Sequence, residues 1–124
     1  MNLQITFRDF DHSDAVEAHV RRRAEKLPTL FERITTCRVV VEEPHRRHQK
    51  GRKFHVRIDM IVPQRELVVS KDVADDVKRE DMHATIDAAF DDADRMLEDY
   101  AKRLREFDRE RIVHGEKPRE GIVR

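Results

Sequence analysis

The feature that most constrains the fold is a long apolar stripe in the last third of the chain. Its members recur every three or four residues: Met82, Ile86, Phe90, Ala93, Leu97, Tyr100, Leu104 and Phe107. This spacing predicts an amphipathic helix of about seven turns, at 3.6 residues per turn. A helix with one apolar face needs an apolar partner, so the rest of the chain must supply a second layer.

Four segments before this helix alternate apolar and polar residues, the pattern of strands with one buried face. They lie around residues 3–7, 37–42, 54–62 and 67–69. A first helix is predicted between the first two strands, with Ser13 as its N-cap and Pro28 as its end. The order β-α-β-β-β-α predicts an α+β fold. We expect a two-layer sandwich with both helices on one face of a four-stranded sheet, like a double-stranded-RNA-binding domain.

Charge is unusually abundant and unevenly distributed. Charged residues make up 42% of the 124-residue chain, with a net charge of zero. Residues 19–57 hold twelve Lys and Arg against four Asp and Glu, whereas residues 72–99 hold three against eleven. A protein polarised in this way can bind a polyanion with one surface. Solvated charge on both faces is the alternative that composition leaves open.

The remaining global features point to the cytoplasm. The single cysteine, Cys37, excludes an internal disulfide and favours a reducing compartment. The chain has no apolar run long enough to cross a membrane and no secretion signal at its start. We therefore expect a cytoplasmic protein that does not interact with membranes.

Two basic groups are the candidates for binding RNA phosphates, because each such contact releases condensed counterions. The first group is predicted on the first helix and comprises Arg21, Arg22, Arg23 and Lys26. The second group is predicted in the loop between the second and third strands and comprises Arg46, Arg47, Lys50, Arg52 and Lys53. We expect these side chains to be exposed and to recognise the shape of folded RNA. A solvated helix face and a soluble loop remain the alternative.

The sequence offers no convincing enzymatic or metal chemistry. His45 and His48 lie among arginines that would repel a divalent ion, and Cys37 is better placed as a core residue. The carboxylates of the last helix are expected on its exposed side, without the burial that acid–base catalysis needs; they are Asp91, Asp92, Asp94, Glu98 and Asp99. We therefore predict no enzyme activity, no metal, no cofactor and no small-molecule substrate.

Several short motifs resemble the hibernation-promoting factor and ribosome-associated inhibitor family, also called sigma-54 modulation proteins. Beyond the opening strand they are Ser13-Asp14-Ala15-Val16, Lys26-Leu27, Phe31-Glu32-Arg33-Ile34 and Glu80-Asp81-Met82-His83-Ala84-Thr85-Ile86-Asp87. The resemblance covers about residues 1–107. It is strongest in the Glu-Asp-Met motif that precedes the long helix.

A variant of that family, in which a cold-shock-type barrel follows the domain, is more similar still. The similar segments are Glu43-Pro44-His45-Arg46-Arg47-His48, Phe54-His55-Val56-Arg57-Ile58-Asp59 and Leu97-Glu98-Asp99-Tyr100-Ala101. The final Gly121-Ile122-Val123-Arg124 resembles the first strand of such a barrel. We therefore expect a hibernation factor-like domain over residues 1–111, and over 112–124 a linker with the start of a truncated cold-shock-type barrel.

The resemblance implies a translation inhibitor that docks on the small ribosomal subunit of the 70S ribosome. It would contact 16S rRNA in the channel for messenger and transfer RNA, in stress or stationary phase. Carried over by position, the RNA-contacting residues are Arg23, Lys26, Lys78, Arg79, Arg95, Lys102 and Arg103. Asp92 and Asp99 stand where better-known members have lysines, so the last helix is less basic than the family pattern. A general RNA-binding module and a protein-interaction module are the alternatives.

Overall fold

The computed structural model describes residues 1–9, 11–43, 54–72 and 82–113, with side chains in the last segment up to residue 109. These residues form four strands and three helices. In chain order they are β1 (Asn2–Arg8), α1 (Asp14–Glu25), α2 (Leu27–Leu30), β2 (Thr36–Glu42), β3 (His55–Val62), β4 (Arg65–Asp72) and α3 (Met82–Val113). No helix in the described ranges is long and apolar enough to cross a membrane.

The strands form one mixed sheet in the order β1-β2-β3-β4. β1 and β2 are parallel, and the other two pairs are antiparallel. A parallel pair needs a crossover, which α1 and α2 provide. The predicted α+β sandwich with helices on one face of a four-stranded sheet is therefore confirmed.

One face of the sheet builds the core, because the period of two places every second side chain on it. The register aligns Ile5, Val39, Ile58 and Val69 across the four strands. The two central strands are the best covered, and Val39 and Ile58 are fully buried. The opposite face carries the polar residues of the alternation, including Arg38, Arg57 and Asp59, as the sequence predicts.

The first helix differs from its prediction at the C-terminal end. Ser13 caps the N-terminus as expected, since its hydroxyl accepts a hydrogen bond from the Val16 amide at 3.3 Å. The predicted end at Pro28, however, is wrong. α1 ends at Glu25, and Pro28 lies in the first turn of the separate helix α2, where its missing N–H and fixed φ are tolerated. The break turns the chain so that Leu27 still reaches the core.

The last helix is longer than its apolar stripe predicts. α3 has 32 residues, about 48 Å at 1.5 Å per residue. The longest strands have 8 residues, roughly 26 Å at 3.3 Å per residue. The helix therefore extends past the sheet, which explains why Leu97 is fully buried whereas Phe107 is 45% exposed.

Two contacts hold the middle of α3 in place. The Tyr100 hydroxyl donates a hydrogen bond to the Pro63 carbonyl in the β3–β4 turn, at 2.7 Å. The Tyr100 ring meets the Phe31 ring edge to face, with centroids 5.3 Å apart. Phe31 immediately follows α2, so the helix is tied both to the sheet and to the α2 region.

Candidate nucleic-acid interface

The structure describes six of the thirteen predicted RNA-binding residues. The other seven lie outside the described residues, and their predictions stay untested: Arg46, Arg47, Lys50, Arg52, Lys53, Lys78 and Arg79. The six described residues divide between α1 with its C-cap and α3. They differ sharply in how far neighbouring carboxylates already neutralise them.

Arg23 is engaged within the fold. Its guanidinium donates to Asp87 at 2.8 Å, to Asp91 at 2.9 Å and to Asp94 at 3.2 Å, all on α3. Its charged end also lies over the Phe90 ring, 5.7 Å from the centroid. The side chain is only 18% exposed, so the expectation that Arg23 lies on an open surface is wrong. Arg23 ties α1 to α3.

His19 of α1 also takes part in the contact with α3. Its Nε2 lies 2.9 Å from the Asp87 carboxylate, and its Nδ1 accepts a hydrogen bond from Arg22 at 3.4 Å. This pattern corresponds to the imidazole protonated on Nε2. Burial alone would raise the pKa of Asp87, but hydrogen bonds from Arg23 and His19 outweigh it and lower that pKa. Asp87 therefore stays ionised between the two helices.

Arg95 is also paired, although it is exposed. It contacts Asp92 one turn earlier on α3, and Lys71 of β4 reaches the same carboxylate at 2.8 Å. The Lys71 hydrogen bond is the main cause of the lowered Asp92 pKa. The family pattern predicts a lysine at position 92. Here Asp92 instead pairs with two cations, Lys71 and Arg95, and its pair with Lys71 joins α3 to β4.

These contacts correct the expectation for the acidic residues of α3. They were predicted on the exposed side of the helix, but Asp92 and Asp94 are half-buried and, with Asp91, they bind cations of α1, β4 and α3. Glu98 and Asp99 are exposed as predicted. The aspartates of the first half of α3 hold the fold together and neutralise Arg23 in doing so.

The second half of α3 shows the opposite character. Four of its exposed cations make no ion pair with any described residue: Lys102, Arg103, Arg105 and Arg109. Lys102, Arg105 and Arg109 follow one another at helical spacing, so they share a stripe of the surface. We call these four residues the α3 basic cluster. Lys26, the C-cap of α1, is likewise exposed without an ion pair to a described residue.

The sequence analysis did not predict Arg105 and Arg109 as RNA contacts, although the sequence contains a signal for both. Within this half of the helix the family pattern indicated only Lys102 and Arg103, and the apolar stripe identified only the buried side. Helical spacing from Lys102 would have found the other two. Arg33 was missed as well; together with Arg105 it lines a cavity of about 280 Å³ between the α2 region and α3.

The outer sheet face is polar but largely neutralised by pairs across and along strands. Arg57 donates to Asp59 at 2.9 Å, and Arg8 lies 4.0 Å from Glu42. Exposed pairs of this kind contribute little stability. They also reduce the positive potential that an RNA phosphate would meet on this face.

One row on that face has the order of a hydrolytic triad. The Ser70 hydroxyl lies 3.1 Å from His55 Nε2, and His55 Nδ1 lies 2.5 Å from Asp72. Hydrolysis also requires a water-excluding site with donors placed for an oxyanion. Here the group stands on the outer sheet face and Asp72 is 77% exposed. We interpret the row as a chain of cross-strand hydrogen bonds.

Two further groups could bear chemistry. His12, Asp14 and Glu17 hold ligand atoms within 4.8 Å of one another, but His12 already contacts both carboxylates and Asp14 is 97% exposed. A site whose ligand atoms are this exposed to water binds a divalent ion weakly. That the protein binds no metal stays a prediction. Cys37 is buried, and burial raises the pKa of its thiol to about 12. It lies in the core, as predicted.

Comparison with known proteins decides the family. A family model described as sigma 54 modulation protein / S30EA ribosomal protein matches residues 3–105. The chain belongs to this family. The resemblance inferred from the sequence motifs is thereby confirmed, while the similarity to the variant with a cold-shock-type barrel stays a prediction. No curated protein matches the chain.

Solved structures agree with the fold of the S30EA family. A ribosomal subunit interface protein from Coxiella burnetii superposes with a TM-score of 0.65 at 17% identity, covering 82% of this chain and 99% of that chain. The N-terminal domain of Protein Y from Thermus thermophilus gives 0.62 at 19% identity, covering 81% and 99%. At such identities the likeness establishes the shared fold.

Proposed function

We propose that this protein binds the small subunit of the 70S ribosome and inhibits translation without catalysing a reaction. It would contact 16S rRNA in the channel for messenger and transfer RNA and preserve idle ribosomes in the cytoplasm during stress or stationary phase. Membership in the S30EA family supports ribosome association. The name of the Coxiella burnetii protein, a ribosomal subunit interface protein, points the same way.

The observation that carries the RNA part of the proposal is the contrast between the two halves of α3. In the first half, carboxylates already pair with Arg23, Lys71 and Arg95. In the second half, the α3 basic cluster makes no ion pair with a described residue. Cations that are not neutralised by the protein can neutralise phosphates and release counterions. We therefore place the RNA-facing surface at the far end of α3.

Three predicted residues fit this surface and two fit it less well. Lys102 and Arg103 belong to the α3 basic cluster, and Lys26 stands exposed just before α2, which lies along α3. Arg23 and Arg95 would have to leave aspartates to bind phosphate. We therefore assign Arg23 to the stability of the fold and give neither residue a direct part in RNA binding.

A protein-interaction module is a less favoured function. That reading requires the acidic half of α3 to be available to a basic partner. Asp87, Asp91, Asp92 and Asp94 already bind cations of the same chain. Ion pairs within the chain therefore neutralise much of the negative charge that a basic partner would need.

Sedimentation tests the proposal. Purified protein is mixed with 30S subunits or 70S ribosomes and run through sucrose gradients at low and high salt. We expect it to travel with both particles at low salt and to leave them at high salt, because phosphate contacts are salt-dependent. Protein that stays at the top of the gradient at low salt would refute ribosome binding.

A further inference from the structure

The sheet has an open edge at β4. Among the described residues β4 pairs with β3 alone, so its other side is an edge of the sheet. The β3–β4 hairpin closes on Val62 and Arg65, and hydrogen-bonded and non-hydrogen-bonded pairs alternate along an antiparallel ladder. The N–H and C=O groups of Glu66, Val68 and Ser70 therefore face away from β3. Such a row of backbone groups is a template on which another strand can pair.

The side chains of this edge favour the pairing of another strand. Natural edge strands are often protected by a lysine or a proline. The middle of β4 instead holds Val68, which is 38% exposed and is one of three exposed large apolar residues in the described ranges. On the same outer face, β1 at the opposite edge carries polar side chains: Asn2, Gln4, Thr6 and Arg8. Burial of the β4 edge would therefore remove apolar surface from water.

A groove runs beside this edge, between β4 and α3. It has a volume of about 460 Å³ and is lined by residues 68–70 of β4 and, on α3, by Asp92, Arg95, Met96 and Asp99. Arg95 contacts Asp92, whereas Asp99 is exposed and makes no ion pair with a described residue. The groove thus carries charges of both signs, which suits a partner that carries both signs as well.

We propose that this edge binds a second copy of the same chain, with the two β4 strands antiparallel about a two-fold axis at Val68. Val68 then lies opposite Val68 of the second copy, and Glu66 lies opposite Ser70 of the second copy. Both are hydrogen-bonded pairs, each of which exchanges two N–H···O bonds. On the inner face Leu67 comes opposite Val69 of the second copy. Both residues are buried in the core, so the apolar layer continues across the axis.

The last helices complement one another in the same arrangement. α3 runs antiparallel to β4, because Lys71 near the end of the strand binds the first half of α3, whereas Pro63 just before the strand binds Tyr100. The two-fold axis therefore sets the two α3 helices side by side and antiparallel on one face of the joined sheet. Arg95 of each copy then approaches Asp99 of the other. This reciprocity is what a two-fold interface requires, and it favours a second copy over a partner of one charge sign.

One pair in this register is unfavourable. Arg65 comes opposite Lys71 of the second copy, but Lys71 already binds Asp92 at 2.8 Å, which neutralises much of its charge. The α3 basic cluster begins at Lys102, beyond the groove. The inference is therefore independent of the proposed RNA-facing surface.

Sedimentation equilibrium of the full chain at several concentrations tests the interface. We expect the mass to rise from 14.8 kDa towards twice that value, with a dissociation constant between about 1 µM and 1 mM, as suits a small interface. Val68→Lys places two like charges on the axis and should weaken the dimer by about tenfold or more. Thr6→Lys is the matched control, since it adds the same charge to the outer face at the opposite edge, and it should leave the constant unchanged. A wild-type chain that stays monomeric throughout this range, or equal effects of the two variants, would overturn the inference.

A change of charge at position 70 tests the register. Because this position lies opposite Glu66 of the second copy, Ser70→Lys should tighten the dimer by roughly threefold and Ser70→Glu should loosen it by a similar factor. Within one chain, position 70 pairs with Arg57, so the stability of the monomer, measured by urea unfolding in dilute solution, should change in the opposite order. Dimer affinities that follow the order of monomer stability, or that do not differ between the two variants, would refute the pairing of β4 with β4.

Discussion

Arg23 shows how a residue's partners, rather than its type, decide what it does. Its place among three consecutive arginines predicts an RNA contact, but only the folded chain reveals Asp87, Asp91 and Asp94 within 3.2 Å. These aspartates are more than sixty positions away in sequence. Sequence spacing cannot predict an ion pair between two helices whose relative rotation is unknown. The family pattern likewise gave Arg23 an RNA role that the fold does not favour.

We expect Arg23→Met to destabilise the fold by about 1–2 kcal/mol, because it leaves carboxylates of α3 facing one another without a cation. The value is reduced for their partial exposure. Urea unfolding measures the effect. Arg22→Met is the matched control on the exposed side of α1 and should change stability by less than about 0.5 kcal/mol. Equal midpoints for the two variants would show that the ion pairs contribute nothing.

Cys37 should be inert in the native protein. Burial raises the pKa of its thiol to about 12 from 9.0, and the thiol form reacts poorly with alkylating agents. Its contribution to stability is therefore complete below pH 9 and is lost as the pH rises towards 12. Iodoacetamide at pH 8 should label the protein in urea but not in buffer. Rapid labelling of the native protein would contradict the position of Cys37 in the core.

Elements whose pattern is local were predicted well, and those set by long-range geometry were not. Period-two alternation located all four strands, and the Ser13 cap located the start of α1. Helix α2 was missed because Pro28 was interpreted as a stop, whereas it also suits the first turn of a new helix. The exposed end of α3 was missed because Leu104 and Phe107 continue the apolar stripe past the point where the sheet ends.

The β3–β4 turn contains a strained residue. Gln64 has φ 63°, in the left-handed region that a side chain with a Cβ disfavours. We expect Gln64→Gly to stabilise the protein by about 0.5–1 kcal/mol in thermal or urea unfolding. The neighbouring Arg65→Gly should destabilise it, since Arg65 is paired with Val62 in extended strand. A loss of stability with Gln64→Gly would contradict this account of the turn.

The contact between α1 and α3 should weaken in acid. The pKa of Asp87 lies below its ordinary 3.8, so the folded state binds fewer protons than the unfolded state near that pH. Its contribution is present above pH 3.8 and is lost as the pH falls through the lower, folded value. Asp87→Asn should therefore lose less stability than the wild type between pH 7 and pH 3, measured by urea unfolding. An equal loss would show that Asp87 is not the titrating group.

At the scale of the whole molecule, the structure changes how the uneven distribution of charge along the sequence is interpreted. The charge counts single out residues 19–57 as the segment suited to a polyanion and residues 72–99 as acidic, and only the family resemblance adds RNA contacts in the second half of the chain. In the described residues, part of the basic half is neutralised by the acidic half, and the cations that remain available include the far end of α3. The position of the proposed RNA-facing surface therefore depends on tertiary pairing, which local composition does not reveal.

The most direct test of this surface compares two double variants with the same change in charge. Lys102→Glu with Arg105→Glu reverses two of the four charges in the α3 basic cluster, whereas Arg38→Glu with Arg65→Glu reverses two exposed cations of the sheet. Affinity for 30S subunits is measured at several salt concentrations. The first variant should bind at least about tenfold more weakly and lower the salt slope by about two, as expected for two lost phosphate contacts. The second should bind nearly as the wild type does; the reverse order of effects would contradict the proposed surface.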